Sequence, residues 1–287
     1  MNRDVEASRL RISRRRALAL GGTVSLTGLL AACGAASSPP SGPAVPTTVV
    51  PSDIEPPLPA LLDDAPRCVL APEQTQGPYW FDVDSIRRDI REDRPGLRLD
   101  LALRVQDVTA CGPDGSAPPV AGAVVEIWHC DAGGVYSGYE AGSVAANTGS
   151  AAGGGASSIV TMSDGSYSLD DGQLPTTDDG TYLRGAQVTD GNGIAQFTTI
   201  FPGWYTGRTV HVHVKVHIDR RTVLTSQLYV DDSLSDDIFA TTAPYTDHPG
   251  RNTRNDTDLI FDESALLAVS RQPDRVLAAV NLGLNRV

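Results

Sequence analysis

From Thr209 to Ile218 the chain reads T-V-H-V-H-V-K-V-H-I. Side chains alternate across an extended strand, so Val210, Val212, Val214, Val216 and Ile218 take one face and His211, His213, Lys215 and His217 take the other. A helix cannot gather those valines into a single stripe. A second alternation, Leu97, Leu99, Leu101, Leu103 and Val105 against Arg98, Asp100, Ala102 and Arg104, predicts another strand with one face buried. Strands are also expected at 123–128, 158–162, 166–169, 185–188, 195–200 and 224–230, with Asp164-Gly165 and Asp190-Gly191-Asn192-Gly193 as turns. The turn signal at 111–115 predicts that strands 97–105 and 123–128 form a hairpin with a long loop. Helical signals are confined to 84–91 and 263–269. The 28 glycines and 20 prolines fit a chain of many turns. The expected fold is mainly β: an antiparallel β-sandwich, immunoglobulin-like, with long loops and few short helices.

The N-terminus has a different character. Arg11, Arg14, Arg15 and Arg16 precede an uncharged run from 17 to 32. Ser13-Arg14-Arg15-Arg16-Ala17-Leu18 resembles a twin-arginine export signal, and Leu30-Ala31-Ala32-Cys33 resembles a lipobox. The run holds three glycines and is short for a membrane span. We therefore expect an export signal at 1–32, a Pro/Ser/Ala-rich linker at 33–62 and a β-sandwich domain at 63–287. The protein is expected outside the cytoplasm, either as a cell-envelope lipoprotein or secreted, touching membrane only through a lipid on Cys33. Without residues 1–32, 17 basic residues face 33 acidic ones, a formal net of −16. Such a body is a poor partner for nucleic acid. An oxidising compartment permits one disulfide among Cys68, Cys111 and Cys130 and leaves one thiol. The segment 142–158, rich in Ala, Gly and Ser, reads as a surface loop.

The chemistry gathers around the histidine strand. Imidazoles at i and i+2 stand about 7 Å apart on one strand face and can converge on one metal ion. His217 is about 13 Å from His213 along the strand, too far to share it. Upstream lie two Gly-turn-Tyr segments, Gly133-Gly134-Val135-Tyr136 and Pro202-Gly203-Trp204-Tyr205. Either tyrosine alone reads as a packing residue. His129 reads as structural, His248 as a loop residue, and Trp128, Trp204 and Tyr139 as packing residues.

The ordered set G-G-V-Y, P-G-W-Y, Arg208-x-x-His211-x-His213 and Gln227-Leu228-Tyr229 resembles the intradiol ring-cleavage dioxygenases, relatives of the protocatechuate and catechol dioxygenases. Thr75-Gln76-Gly77-Pro78-Tyr79 and Arg88-Asp89-Ile90-Arg91 extend the resemblance over about residues 68–262. It implies an Fe(III) ion held by Tyr136, Tyr205, His211 and His213, hard phenolate donors suiting a hard cation. It implies catalytic roles for Tyr205, Arg208 and Gln227, with Tyr79, Arg208 and Gln227 near the substrate. The substrates would be a small catechol-type diol and O2, opened between the two oxygenated carbons to a muconate-type dicarboxylate without organic cofactor or external reductant. Two other readings stay open from sequence: a zinc hydrolase using the H-x-H pair, and an exported, non-catalytic binding module. The sequence leaves the oligomeric state open.

Overall fold

The structure, a computed structural model, describes residues 58–83, 85–143 and 174–285. The export signal, Cys33, most of the linker, nearly all of the loop at 142–158 and the strands expected at 158–162 and 166–169 lie outside the described residues. No described helix is long and apolar enough to cross a membrane.

Eight strands are described: β1 (Arg98–Asp107), β2 (Val124–Trp128), β3 (Arg184–Val188), β4 (Ile194–Ile200), β5 (His211–Ile218), β6 (Arg221–Tyr229), β7 (Ala268–Arg271) and β8 (Arg275–Leu284). They form two four-stranded sheets, ordered β4-β1-β8-β7 and β3-β2-β5-β6. Their facing sides share one core. Leu99, Leu101 and Leu103 of β1 and Val276, Ala278 and Val280 of β8 meet Val125, Ile127, Val212, Val214 and Val216 of the other sheet. β5 and β6 form a hairpin whose two turn residues, Asp219 and Arg220, both have positive φ (49° and 66°), the twist that matches a two-residue hairpin turn.

Several expectations are corrected. β1 and β2 do not form a hairpin: they belong to opposite sheets, so the 111–115 turn lies on a crossover between layers. The sandwich is not wholly antiparallel, because β1 runs parallel to β8, with Leu101 opposite Ala278. Nor is β1 half-buried: Asp100 and Ala102 are buried as well. Asp100 accepts from the side chains of Arg98 and Thr198, and Ala102 is covered by the stretch assigned to the linker's end. A 3-10 turn at Leu58–Ala60 and a short helix, α1 (Leu61–Asp64), lay Leu61 and Leu62 on Ala102, Ile194, Leu277 and Ala279, the outer face of the sheet. Asn281 of β8 secures them by donating to the carbonyls of Leu62 and Pro66 at 2.9 and 3.1 Å.

Of the segment expected as a helix at 84–91, the described residues 85–91 are extended, not helical. Arg87 N donates to Ala186 O on β3 and Ile90 N to Thr198 O on β4, both at 3.0 Å, so it joins the edges of the two sheets. The region 263–269 resolves into a 3-10 turn (Glu263–Ala265) and the start of β7. A helix not expected, α2 (Asp232–Thr241), is capped by the Asp231 side chain accepting from Ser233 N. A disulfide joins Cys68 to Cys111, and Cys130 is the free, buried thiol.

Leu62 is fully buried. Leu62→Ala should therefore destabilise the domain by about 2–5 kcal/mol in urea unfolding. An unchanged midpoint would show that this stretch is not part of the folded unit.

Candidate metal centre

Because the valines of β5 fill the sandwich, His211 and His213 project from the outer side of the β3-β2-β5-β6 sheet. Covering segments bury both, leaving them 2% and 3% exposed. Strand register lays a row of side chains across this face. Arg184 of β3 stands opposite Trp128 of β2, Trp128 opposite His213, and His213 opposite Gln227 of β6. The Trp128 and His213 rings stack nearly parallel, with centroids 4.8 Å apart.

Two loops bring the tyrosines over this face. In the first, Asp131 Oδ1 accepts from Gly133 N and Val135 N, both at 3.0 Å, which fixes the turn before Tyr136. In the second, Gly203 N donates to Asp131 O at 3.1 Å. A side chain at Gly203 would overlap the carbonyl oxygens of Asp131 and Ala132, so only glycine lets the two tyrosine loops lie backbone to backbone. Tyr205 O then accepts from Arg208 N, closing a tight turn into β5.

The four side chains converge. Tyr136 Oη and Tyr205 Oη lie 3.3 and 3.2 Å from His211 Nε2, and His213 Nε2 lies 3.1 Å from it. His211 Nδ1 faces the Thr209 carbonyl at 2.7 Å. A carbonyl only accepts, so Nδ1 carries the proton and Nε2 presents a lone pair to the cluster. One lone pair cannot accept from two phenols and a second imidazole together, whereas a shared cation satisfies all four. Donors held about 2 Å from one ion lie about 3.3 Å apart in a tetrahedron. The spacing and the donor chemistry thus fit a metal ion, and two phenols beside two imidazoles suit a hard trivalent one. Among the described residues no three His, Cys, Asp or Glu side chains gather in this way.

Burial sets the charge state of the metal-free cluster. It pulls the pKa of His211 down, helped by the Arg208 charge, and that of His213 well down, helped by His211. It pushes the Tyr136 phenol well above its ordinary value, with the Tyr205 oxygen adding to the effect. A cation entering here must therefore displace the Tyr136 proton.

Arg208 is buried, not a surface charge. Its Nε donates to Asp258 Oδ2 at 2.9 Å and an Nη to Gln227 Oε1. Gln227 is oriented in turn, its Nε2 donating to Thr75 O at 3.0 Å. Asp258 also accepts from the backbone N–H groups of Thr209 and Ile260. Tyr79 is buried and stacks on Tyr136 with centroids 4.8 Å apart. Other residues take structural places. His129 is buried between the Cys130 carbonyl and the Thr199 hydroxyl, its pKa lowered to about 4 by burial. His248 stacks on Trp204, and His217 faces Glu126. Tyr139 packs with its hydroxyl on the carbonyls of Trp80 and Leu174. Sequence reasoning missed Asp258 and Arg184. Asp258 sits in a loop 50 residues from its arginine, and Arg184 lies in a strand with no alternation to mark its face.

Residues 75–248 match the family model described as Dioxygenase. An intradiol ring-cleavage dioxygenase from Tetranychus urticae is 30% identical, with 76% of this chain and 95% of that chain covered and a TM-score of 0.60. A second solved dioxygenase is also 30% identical at the same coverage, with a TM-score of 0.61. No curated protein is matched. The chain belongs to the intradiol ring-cleavage dioxygenase family, and its two sheets form a β-sandwich of that type.

Asp258 gives a stability test. Burial opposes its ionisation, but the Arg208 charge and the N–H groups of Ile260 and Thr209 outweigh it and hold its pKa below the usual carboxylate value. A depressed pKa contributes stability that is fully present above the unfolded value of about 3.9 and is lost as pH falls through the folded one. Asp258→Asn should cost about 3–5 kcal/mol at pH 7, because Arg208 loses its buried partner. The gap to wild type should narrow only below about pH 4. A gap that stays constant down to acid unfolding would refute the pairing.

Proposed function

We propose that Tyr136, Tyr205, His211 and His213 hold a ferric ion at which a catechol-type diol is opened by dioxygen between its two oxygenated carbons. Both oxygen atoms enter the product, a muconate-type dicarboxylate, so the electrons balance without an external reductant. The observation that carries the reading is the convergence of two phenol oxygens and one imidazole nitrogen within 3.3 Å of His211 Nε2. When bound, Fe(III) supplies a Lewis-acid site for the diol oxygens and accepts electron density from the ring.

The protein's own groups divide the remaining work. Tyr136 is fully enclosed, whereas Tyr205 sits on a turn and is 8% exposed. Tyr205 is therefore the ligand that can yield its place to substrate and take a substrate proton at its phenolate oxygen. Arg208 keeps its charge at any working pH, and Asp258 and Gln227 fix its plane. It stabilises negative charge developing on the ring while staying off the metal. Gln227 holds Arg208 and faces the substrate, and Tyr79 lines the same side through its stack on Tyr136. The two-layer frame supports an immunoglobulin-like description, with the site built on one outer sheet face by covering loops. A zinc hydrolase is less well supported, because the H-x-H pair is completed by phenols, not by a third imidazole, carboxylate or thiolate. A binding module leaves the buried Arg208–Gln227 arrangement unexplained.

We further propose that the protein is exported and lipidated at Cys33. The support is the arginine cluster, the apolar run and Leu30-Ala31-Ala32-Cys33, together with a Cys68–Cys111 disulfide suited to an oxidising compartment.

Ferric protein should consume oxygen with catechol, protocatechuate, hydroxyquinol or a chlorocatechol and release a ring-opened dicarboxylate. His211→Ala and His213→Ala should lose iron and activity. Arg208→Leu should keep iron and still bind the diol but turn over about 10²-fold more slowly. Failure of wild type to consume oxygen with any of these diols would count against the activity. Oxygen reactivity unchanged in Arg208→Leu would remove Arg208 from it. For export, Cys33→Ser should abolish lipid labelling and membrane association, and unchanged membrane association would contradict the anchor.

A further inference from the structure

The row of side chains beneath the tyrosines ends at Arg184, a residue without a part in the reaction as described above. The residue is 1% exposed. Nε donates to Ser137 Oγ and one Nη to Ser137 O, both at 2.8 Å. The other Nη is buried and has no hydrogen-bond partner among the described residues. Rings surround the group: Cζ lies 4.3 Å from the Phe81 centroid, 5.8 Å from Tyr139 and 6.0 Å from Tyr136. Burial lowers the pKa only to about 10, so the group stays charged at neutral pH.

A buried cation held by one serine and a set of rings is costly unless a negative charge stands near it. Arg208, the other guanidinium of the centre, already has Asp258. Arg184 has no carboxylate in salt-bridge contact among the described residues; Glu126, whose oxygens meet Trp80 and His217, acts on it only from a distance. It does clamp Ser137, the residue next to Tyr136, and Tyr136 becomes anionic when it binds metal. We propose that Arg184 is a positioning residue of the metal centre. It fixes the Tyr136 loop through Ser137, and its positive charge offsets that of the metal-bound Tyr136 phenolate. The inference rests on Tyr136 being an iron ligand.

The charge lies 6.0 Å from the Tyr136 ring. A positive charge that close holds the phenolate electrons more tightly, so charge transfer to iron needs more energy. Removing the charge should move the visible band to longer wavelength, an effect that a purely structural role would not produce.

The test is ferric titration of the full chain against nitrilotriacetate, followed in the visible, for wild type, Arg184→Met, Arg184→Lys and Ser137→Ala. Arg184→Met should bind Fe(III) at least ~10-fold more weakly, with the band red-shifted. Arg184→Lys should keep the band near its wild-type position at intermediate affinity. Ser137→Ala should weaken binding without moving the band. Wild-type affinity and an unmoved band in Arg184→Met would overturn the inference. If that variant does not fold, a red-shifted band in Arg184→Lys, or undiminished affinity in Ser137→Ala, overturns it instead. A wild-type ferric protein without a tyrosinate band would overturn the ligand reading itself; a normal wild-type band with indifferent Arg184 variants would overturn only this inference.

Discussion

Four polar atoms crowd around one point, three of them facing the single lone pair of His211 Nε2. His211 Nε2 has its lone pair fixed by the hydrogen bond that Nδ1 makes to Thr209, yet two phenols and a second imidazole stand within 3.3 Å of it. Buried polar groups in such a cluster are costly unless something satisfies them together. A trivalent cation would satisfy them together, and much of the surrounding structure holds the four side chains in this arrangement. The valines of β5 anchor the histidines from behind. Trp128 backs His213, Gly203 lets the two tyrosine loops meet, and Asp131 and Ser137 fix the turn that carries Tyr136.

The same arrangement explains why the site lies outside the sandwich instead of inside it. The core between the sheets is packed with apolar side chains, mostly aliphatic with Phe197 and Phe201 among them. Chemistry moves to the outer face of the β3-β2-β5-β6 sheet, where cross-strand register supplies a fixed row and loops supply the lid. The opposite sheet shows the passive version of this covering, with Leu61 and Leu62 packed on Ala102, Ile194, Leu277 and Ala279 of its outer face. Two buried arginines flank the centre in different settings: Arg208 is paired with Asp258, whereas one Nη of Arg184 has no hydrogen-bond partner among the described residues.

The parts legible in the sequence were those where one local pattern decides the outcome. Alternation marked β5, and short motifs marked the four side chains that converge, as well as Arg208 and Gln227. Patterns failed where tertiary context took over. β8 is apolar on both faces because it is a central strand beneath α1, so its period of two disappears. β1 looked half-buried because the residues covering its polar face lie some 40 positions upstream. The segment 84–91 has a helical look, but its N–H groups find carbonyls on two sheet edges, and those contacts override local propensity. Asp258 could not be found from sequence, since nothing local distinguishes it from the other aspartates of an acidic chain.

The account stands on two phenolates and two imidazoles sharing one ferric ion. Its most direct test is resonance Raman spectroscopy of the iron-loaded protein, excited in the visible band, for wild type and for Tyr136→Phe and Tyr205→Phe. Wild type should show tyrosinate ring modes, and each single variant should lose one set and keep the other. An iron-loaded wild type without tyrosinate modes, or one whose modes survive both substitutions, would contradict it.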